Sequence, residues 1–299
     1  MDVSLESVTA LRYPDGAPVT AASAVAPFRG GLLVVSDDAT RACWWHDGAG
    51  RAVRVLPAVE GHDTFREDEG TKELKPDLEA AVPVPGGVLL LGSGSTPART
   101  RSSLVAEADA SYVVAELAPL HAAVATALGL RPDQLNLEGA CLVDGDLRWF
   151  QRGLPSAGVP TASVDVDAAA LLAAARGAGD PAEVAVGAVR RYDLGEAGGV
   201  GLAVTDALAL RGGRILVSAA AEDSADAYAD GPVVGSALAL LDGEQVLEVC
   251  DLPALDAGVT KVEGLAPLER LPDGLLVAAT VDDDDPDRPS RLLRLRLRW

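Results

Sequence analysis

The chain is poor in the residues that most directly signal a chemistry. Three cysteines in 299 residues (Cys43, Cys141 and Cys250) are too few and too scattered for a disulfide framework. The first residues, MDVSLESVTALRYPDG, carry neither a basic n-region nor an apolar core. A cytoplasmic setting and no secretory signal are therefore expected. No apolar run approaches the roughly 20 residues that a membrane-spanning helix requires, so no membrane partner is expected. The three histidines, His46, His62 and His121, are not paired at metal-ligand spacing, which argues against zinc. No Gly-x-Ser-x-Gly elbow is present to support serine-hydrolase chemistry. Aromatic residues make up only 4% of the chain, few for a lectin-like face that would stack on sugars. Basic residues are outnumbered, 25 against 45 acidic, for a net charge of −20. A surface of that sign repels phosphate backbones and excludes nucleic acid as an expected partner.

What the chain does have is apolar residues (48%), glycine (31) and repetition. The apolar content excludes a disordered chain. Five segments share one pattern: a short apolar run, a tight turn containing Gly, and a second apolar run. They begin at Ser23, Glu79, Glu138, Asp206 and Glu263. Their turns are Arg29-Gly30-Gly31, Pro85-Gly86-Gly87, Asp144-Gly145-Asp146, Arg211-Gly212-Gly213 and Pro272-Asp273-Gly274. Gly supplies the positive φ that primed hairpin turns demand. The first four hairpins have equal length from the leading residue, and the fifth reads as having a slightly longer turn. Further strand-like runs lie between the hairpins, giving about four strands per repeat. The C-terminal run Arg291–Arg298 supplies only a third strand for the last unit. The N-terminal run Val3–Tyr13 has no hairpin of its own, and is expected to close the ring as that blade's outer strand.

The expected fold is therefore all-β: a five-bladed β-propeller of four-stranded antiparallel blades, with six blades as the alternative. Small residues after the leading position (Ala80, Ala81, Gly139, Ala140, Ala207, Ala266) suit strands that crowd around an axis. Two short helices are expected at 115–130 and 165–177, the second capped by Asp165 or Asp167. No linker of altered composition divides the chain, so residues 1–299 are read as one domain, and a monomer is expected.

The leading position is acidic in four repeats: Glu79, Glu138, Asp206 and Glu263. In a propeller these carboxylates would converge on one channel, and like charges that close need compensation. Three forms of compensation are open. A hard cation, Ca²⁺ or Mg²⁺, could take the oxygens, with Asn136 as a neutral ligand. Basic side chains near the same strand ends (Lys75, Lys261, Arg99, Arg101, Arg152) could neutralise them. Each carboxylate could also staple one blade to the next through backbone N–H groups. The stretch Gly92–Thr96, with Ser93 and Ser95 and followed by Arg99, could wrap an anion, or it could be an exposed connection. The run Asp282–Asp285 could hold Ca²⁺ weakly or be a solvated loop, and it does not match an EF-hand.

The starts Asn136-Leu-Glu-Gly-Ala and Lys261-Val-Glu-Gly-Leu-Ala resemble the Glu-Gly-(Ile/Leu)-Ala strand starts of phytase-like, esterase-like propellers. They also resemble those of the wider gluconolactonase-type superfamily. In the lactonase branch a catalytic divalent cation sits in the channel on Glu, Asn and Asp from different blades. The resemblance implies Glu79, Glu138, Asp206, Glu263 and, more loosely, Asn136 as ligands. A hydrolase of a phosphoester or lactone is then expected, with a channel carboxylate as base and Glu138 and Glu263 as the catalytic candidates. Lys75, Arg99, Arg152, Lys261, Ser93 and Ser95 would then meet a small anionic or lactone substrate. The alternative is a non-catalytic ligand- or protein-binding propeller whose channel carboxylates are neutralised by Arg and Lys.

Overall fold

The structure is a computed structural model that describes residues 1–223, 231–252, 255, 259–283, 285 and 287–299. Ser224 at one strand end, and Asp284 and Pro286 in the aspartate-rich loop, lie outside the described residues. Five antiparallel sheets follow one another along the chain. The first is β2 (Ala22–Phe28), β3 (Gly31–Ser36), β4 (Arg41–His46) and β5 (Ala49–Arg54). The second is β6 (Leu78–Val84), β7 (Gly87–Gly92), β8 (Arg101–Ala106) and β9 (Tyr112–Glu116). The third is β10 (Leu137–Val143), β11 (Asp146–Gln151), β12 (Thr161–Asp167) and β13 (Val186–Tyr192). The fourth is β15 (Val200–Ala209), β16 (Arg214–Glu222), β17 (Val233–Asp242) and β18 (Gln245–Asp251), with the two-residue β14 (Glu196–Ala197) added beside β15. The fifth is β19 (Lys261–Leu271), β20 (Gly274–Asp282), β21 (Arg291–Arg298) and β1 (Asp2–Ala10). The N-terminal strand pairs with the C-terminal one and closes the ring of five blades.

Each of the inner strands β2, β6, β10, β15 and β19 packs against the inner strand of the blade on either side. Five apolar clusters result, one per blade interface. Leu89 and Leu91 face blade three, for example, while Val88 and Leu90 on the same strand face blade one. Both faces of a middle strand are buried. That is why Gly87-Val-Leu-Leu-Leu-Gly92 reads as a continuous apolar run rather than an alternating one. Outer strands such as β1 and β18 are largely exposed.

Two helices decorate blades two and three and add to the core between them. α1 (Ala118–Leu128) starts later than the sequence suggests, because Ala115 and Glu116 stay in β9. It ends at Gly129 in the left-handed conformation. α2 (Ala168–Ala175) is capped by Asp167, whose side chain accepts from the Ala170 N–H. Asp165 is instead held on β12 by Arg148 and Arg190. No helix among the described residues is long and apolar enough to cross a membrane.

Crowding at the axis is literal at Gly139. A Cβ there would sit 2.4 Å from the Asp206 Cα and the Ala207 N of the next blade. Both are backbone atoms and neither can swing aside. Gly139→Ala is expected to lower unfolding stability by about 1–3 kcal/mol through overpacking, read as a lower urea midpoint. An unchanged midpoint would mean that the blades are not in this contact.

Candidate functional site

Every inner strand carries a register shift near its start, and this bulge sets the geometry of the hub. The shift skips Ser23, Glu79 and Glu263, falls at Glu138-Gly139 in blade three, and skips Thr205 in blade four. A bulge turns the extra residue out of the ladder. The equivalent positions are therefore Ser23, Glu79, Glu138, Thr205 and Glu263. Asp206 stands one residue further on, at the place of Ala24, Ala80, Gly139 and Gly264.

The fourth hairpin explains the offset. Its turn holds three residues, Arg211–Gly213, closed by the Leu210 N–H on the Arg214 carbonyl, whereas the first three turns hold two. Counting back from the turn therefore lands one residue late. The extra length of the fifth hairpin lies in its strands, with a second bulge between Pro267 and Glu269, and its turn is only Pro272-Asp273.

The two hydroxyl residues of this ring act as staples. Ser23 donates to the Leu78 carbonyl at 2.6 Å, and Thr205 to the Val262 carbonyl at 2.5 Å, each reaching into the next blade. Asp206 also staples blades four and five, accepting the Leu265 N–H at 2.6 Å. Burial holds its carboxyl well above the usual range, against the pull of the Ala207 and Leu265 N–H groups. Thr205→Val keeps the shape and deletes the hydroxyl. It is expected to lower stability by about 1–3 kcal/mol, because the Val262 carbonyl loses its donor in a dry interface. A chemical-denaturation curve superimposing on the parent's would remove Thr205 from the staple set.

Two further tiers lie above the bulge. The residue that follows the pairing partner of the one before the bulge is Asp37, Ser93, Arg152 and Asp282 in blades one, two, three and five; blade four has Ala220 there, and Glu222 stands two residues further on. The residue two before the bulge contributes Asp77, Asn136 and Lys261 in blades two, three and five. Together with Lys72, Lys75 and Arg99 from connecting segments, most of these line a hollow with about 80 Å³ open to water-sized molecules. That is room for several waters, where one needs roughly 10–15 Å³.

The charges are arranged in two groups. In the first, Lys75 Nζ lies 2.5 Å from Asp37 and 3.1 Å from Asp77. Arg99 reaches Asp77 at 3.1 Å. Ser93 donates to Asp77 at 2.5 Å, and Ser95 contacts both Asp77 and Arg99. In the second, Arg152 binds Glu138 at 3.0 Å and also pairs with Glu222. Lys261 lies 2.7 Å from Glu263 and 3.4 Å from Glu222. Asn136 donates to Glu138 at 3.2 Å.

Burial pushes Asp77 up, but Lys75 and Arg99 more than reverse it and hold its carboxyl low. Burial works against the Lys75 ammonium, yet Asp37, Asp77 and Glu79 keep it charged, well above the usual range. Glu79 is held well above its ordinary value by burial and then by Asp77 and Asp37. Glu138 is raised to about 7 by burial, with Arg152 pulling it down and Glu263 pushing it up.

Most of the side chains singled out by sequence therefore meet at one mouth: Glu79, Glu138, Glu263, Asn136, Lys75, Arg99, Arg152 and Lys261. Ser93 and Ser95 join through Asp77. Asp206 turns to the next blade, and Arg101 goes to Glu116 at 2.8 Å. Sequence reasoning notes Asp37, Glu222 and Asp282 only as polar second-strand ends near the same region, and does not name Asp77, whose place two residues before Glu79, like that of Asn136 before Glu138, was the available signal.

Among the described residues the carboxylates of Asp37, Asp77 and Glu79 approach within 4.8 Å of one another. Their oxygens suit a hard cation in type. The Lys75 ammonium, bonded to two of the three, already supplies positive charge there. The trio fits a divalent ion only with Lys75 displaced.

A family model of unknown function, DUF6910, matches residues 71–286. The chain belongs to this family. No curated protein matches the chain. Among solved structures, this DUF6910 member is similar to a Bacteroides fragilis protein assigned as exported, at 10% identity and a TM-score of 0.44, covering 99% of this chain and 96% of that one. It is also similar to a Dyadobacter fermentans protein of unknown function, at 12% identity and a TM-score of 0.42, covering 98% and 76%. The N-terminal domain of Nup159 aligns at 12% identity and a TM-score of 0.37, covering 95% and 80%.

Proposed function

We propose that this DUF6910 chain is a non-catalytic binding propeller that takes a small ammonium-bearing ligand at the hub mouth. The observation that supports this most is the charge balance. Among the described residues, six lining carboxylates and the adjoining Glu222 face five basic side chains, so an excess of negative charge remains once Glu79 and Glu138, both raised, are ionised. Glu79 is half-buried, lines the hollow and accepts no hydrogen bond from a described residue. Asn136 spends its amide N–H on Glu138 and keeps a carbonyl oxygen to accept. An ammonium group has three N–H donors, and the Glu79 carboxylate, the Asn136 carbonyl and the Ser23 hydroxyl are acceptors on three consecutive blades. The net sign disfavours a phosphoester, and the fixed Lys75 disfavours Ca²⁺ or Mg²⁺.

Binding would require Glu79 to ionise, so affinity should rise with pH. Thermal shift and calorimetry with methylammonium and short alkylamines are expected to show stabilisation that grows from pH 6 to pH 8 and disappears in Glu79→Gln. Inorganic phosphate and EDTA are expected to leave the melting temperature unchanged.

One observation favours a hydrolase of the phytase-like or gluconolactonase type: Glu138 titrates near neutrality, where a general acid–base works best. Turnover of a lactone or phosphoester panel that requires Ca²⁺ or Mg²⁺ and is lost in Glu138→Gln would replace the binding reading with that one.

A further inference from the structure

The inner strand β19 runs from Lys261 at the hub mouth to Leu271 at the opposite end, about 30 Å away at roughly 3.3 Å per residue. At that far end a groove of about 400 Å³ lies between the turns of blades four and five. Its floor and walls are apolar, including Leu240, Leu271, Leu275 and Pro272, and Trp299 flanks it, 55% exposed. Its rim carries Arg211, Arg214 and Arg270. Elsewhere on blade five the arginines meet acids: Arg298 meets Asp273 at 3.2 Å, Arg296 meets Glu6 and Arg291 meets Asp283. Among the described residues, the side chains of Arg211, Arg214 and Arg270 make no hydrogen bond or ion pair.

We infer that this groove is a second binding site, distinct from the hub mouth, for a small amphiphilic anion: an apolar body bearing one carboxylate, sulfonate or phosphate. Three observations carry the assignment. The volume falls in the roughly 300–1,000 Å³ range of small-ligand pockets. Three arginines line one groove and none is hydrogen-bonded or ion-paired among the described residues, in a chain of net charge −20, although Asp242 lies opposite Arg214 in the ladder. An exposed indole beside guanidinium forks offers an apolar wall next to anion donors, matching a ligand with both characters. A purely ionic ligand would leave the apolar floor unused, and a purely apolar one would leave the arginines unanswered.

The test uses the full chain and the dye 8-anilinonaphthalene-1-sulfonate, which joins an aromatic body to a sulfonate. Saturable binding of one dye per chain with enhanced fluorescence is expected, and it should weaken as salt is raised. Arg211→Ala/Arg270→Ala, and each single variant, should weaken binding, the double variant at least tenfold. Trp299→Ala should weaken it as well, while Arg176→Ala, which removes a positive charge from a distant helix end, should not. The uncharged N-phenyl-1-naphthylamine should bind at least tenfold less tightly. A glutamate-rich decapeptide, which has the charge without the body, should not displace the dye. Near-UV circular dichroism must coincide for all variants, so that dye uptake by a loosened fold is not counted. The assignment is overturned by absence of saturable binding, by unchanged affinity in the arginine variants, by equal binding of the neutral dye, or by displacement by the peptide.

Discussion

Asp77→Ala is expected to lower unfolding stability by about 3–5 kcal/mol, the range for removing one partner from a buried ion pair. Asp77 is 3% exposed and holds Lys75, Arg99 and Ser93 at 2.5–3.1 Å. Its removal leaves the buried Arg99 and the half-buried Lys75 without that carboxylate and the Ser93 hydroxyl without its acceptor. Asp63 is the control. It also holds two cations, Arg54 at 2.8 Å and Arg41 at 3.2 Å, but its side chain is 37% exposed. Exposed pairs contribute about 0–1 kcal/mol, so Asp63→Ala should cost far less despite similar bonding. Burial, rather than the number of bonds, decides the difference. Urea unfolding at pH 7 reads both variants as midpoint shifts at constant slope. Equal losses would mean that the hub cluster is solvated, and the charge balance that supports the binding site would go with it.

The propeller was legible because its signals are local. Each hairpin combines a tight turn, a small residue near the axis and an apolar run, all within about a dozen residues. Five blades were the first choice, with six kept open, and the closing run read as Val3–Tyr13 is the strand Asp2–Ala10. The ring of side chains was less legible, because a turn's length is not fixed by its composition. Arg211-Gly212-Gly213 looks like Arg29-Gly30-Gly31, yet it spends one more residue in the turn and moves Thr205, not Asp206, into register. The ion pairing was beyond reach for a different reason. Lys75 meets Asp37 across 38 positions, and Arg152 meets Glu222 across the boundary of two blades. Repeat spacing places such groups at one height. Only the angular order of blades and the reach of each side chain select which acid takes which base. Pairing with basic side chains was one of three open alternatives in the sequence; Lys75, Arg99, Arg152 and Lys261 do pair with hub acids, while Asp206 takes the backbone-staple form.

Glu138 provides the second large effect, in the pH dependence of stability. Its folded pKa is about 7 against an ordinary 4.5, chiefly from burial. The folded state therefore binds the proton more tightly than the unfolded chain. The stabilisation is complete below about pH 4.5 and is lost as pH rises through 7. Glu79, Asp37 and Asp206 are raised as well and act in the same direction. Asp77, Asp63 and Asp165 are lowered, so their contribution holds above the ordinary carboxylate range and is lost only as pH falls below it. The two trends together place maximal stability near pH 5 rather than at neutrality. Glu138→Gln removes one proton-binding site without emptying the position, and Arg152 retains Glu222. Relative to the parent, the variant should gain about 3 kcal/mol between pH 4.5 and pH 8, because each tenfold difference in proton affinity between the folded and unfolded chain is worth about 1.4 kcal/mol. Melting curves at half-unit pH steps would read this as a flatter profile for the variant. If the two proteins instead change in parallel across that range, Glu138 is already ionised at pH 5. Arg152 would then dominate its surroundings, and neither a near-neutral acid–base role nor a proton-linked hub could rest on it.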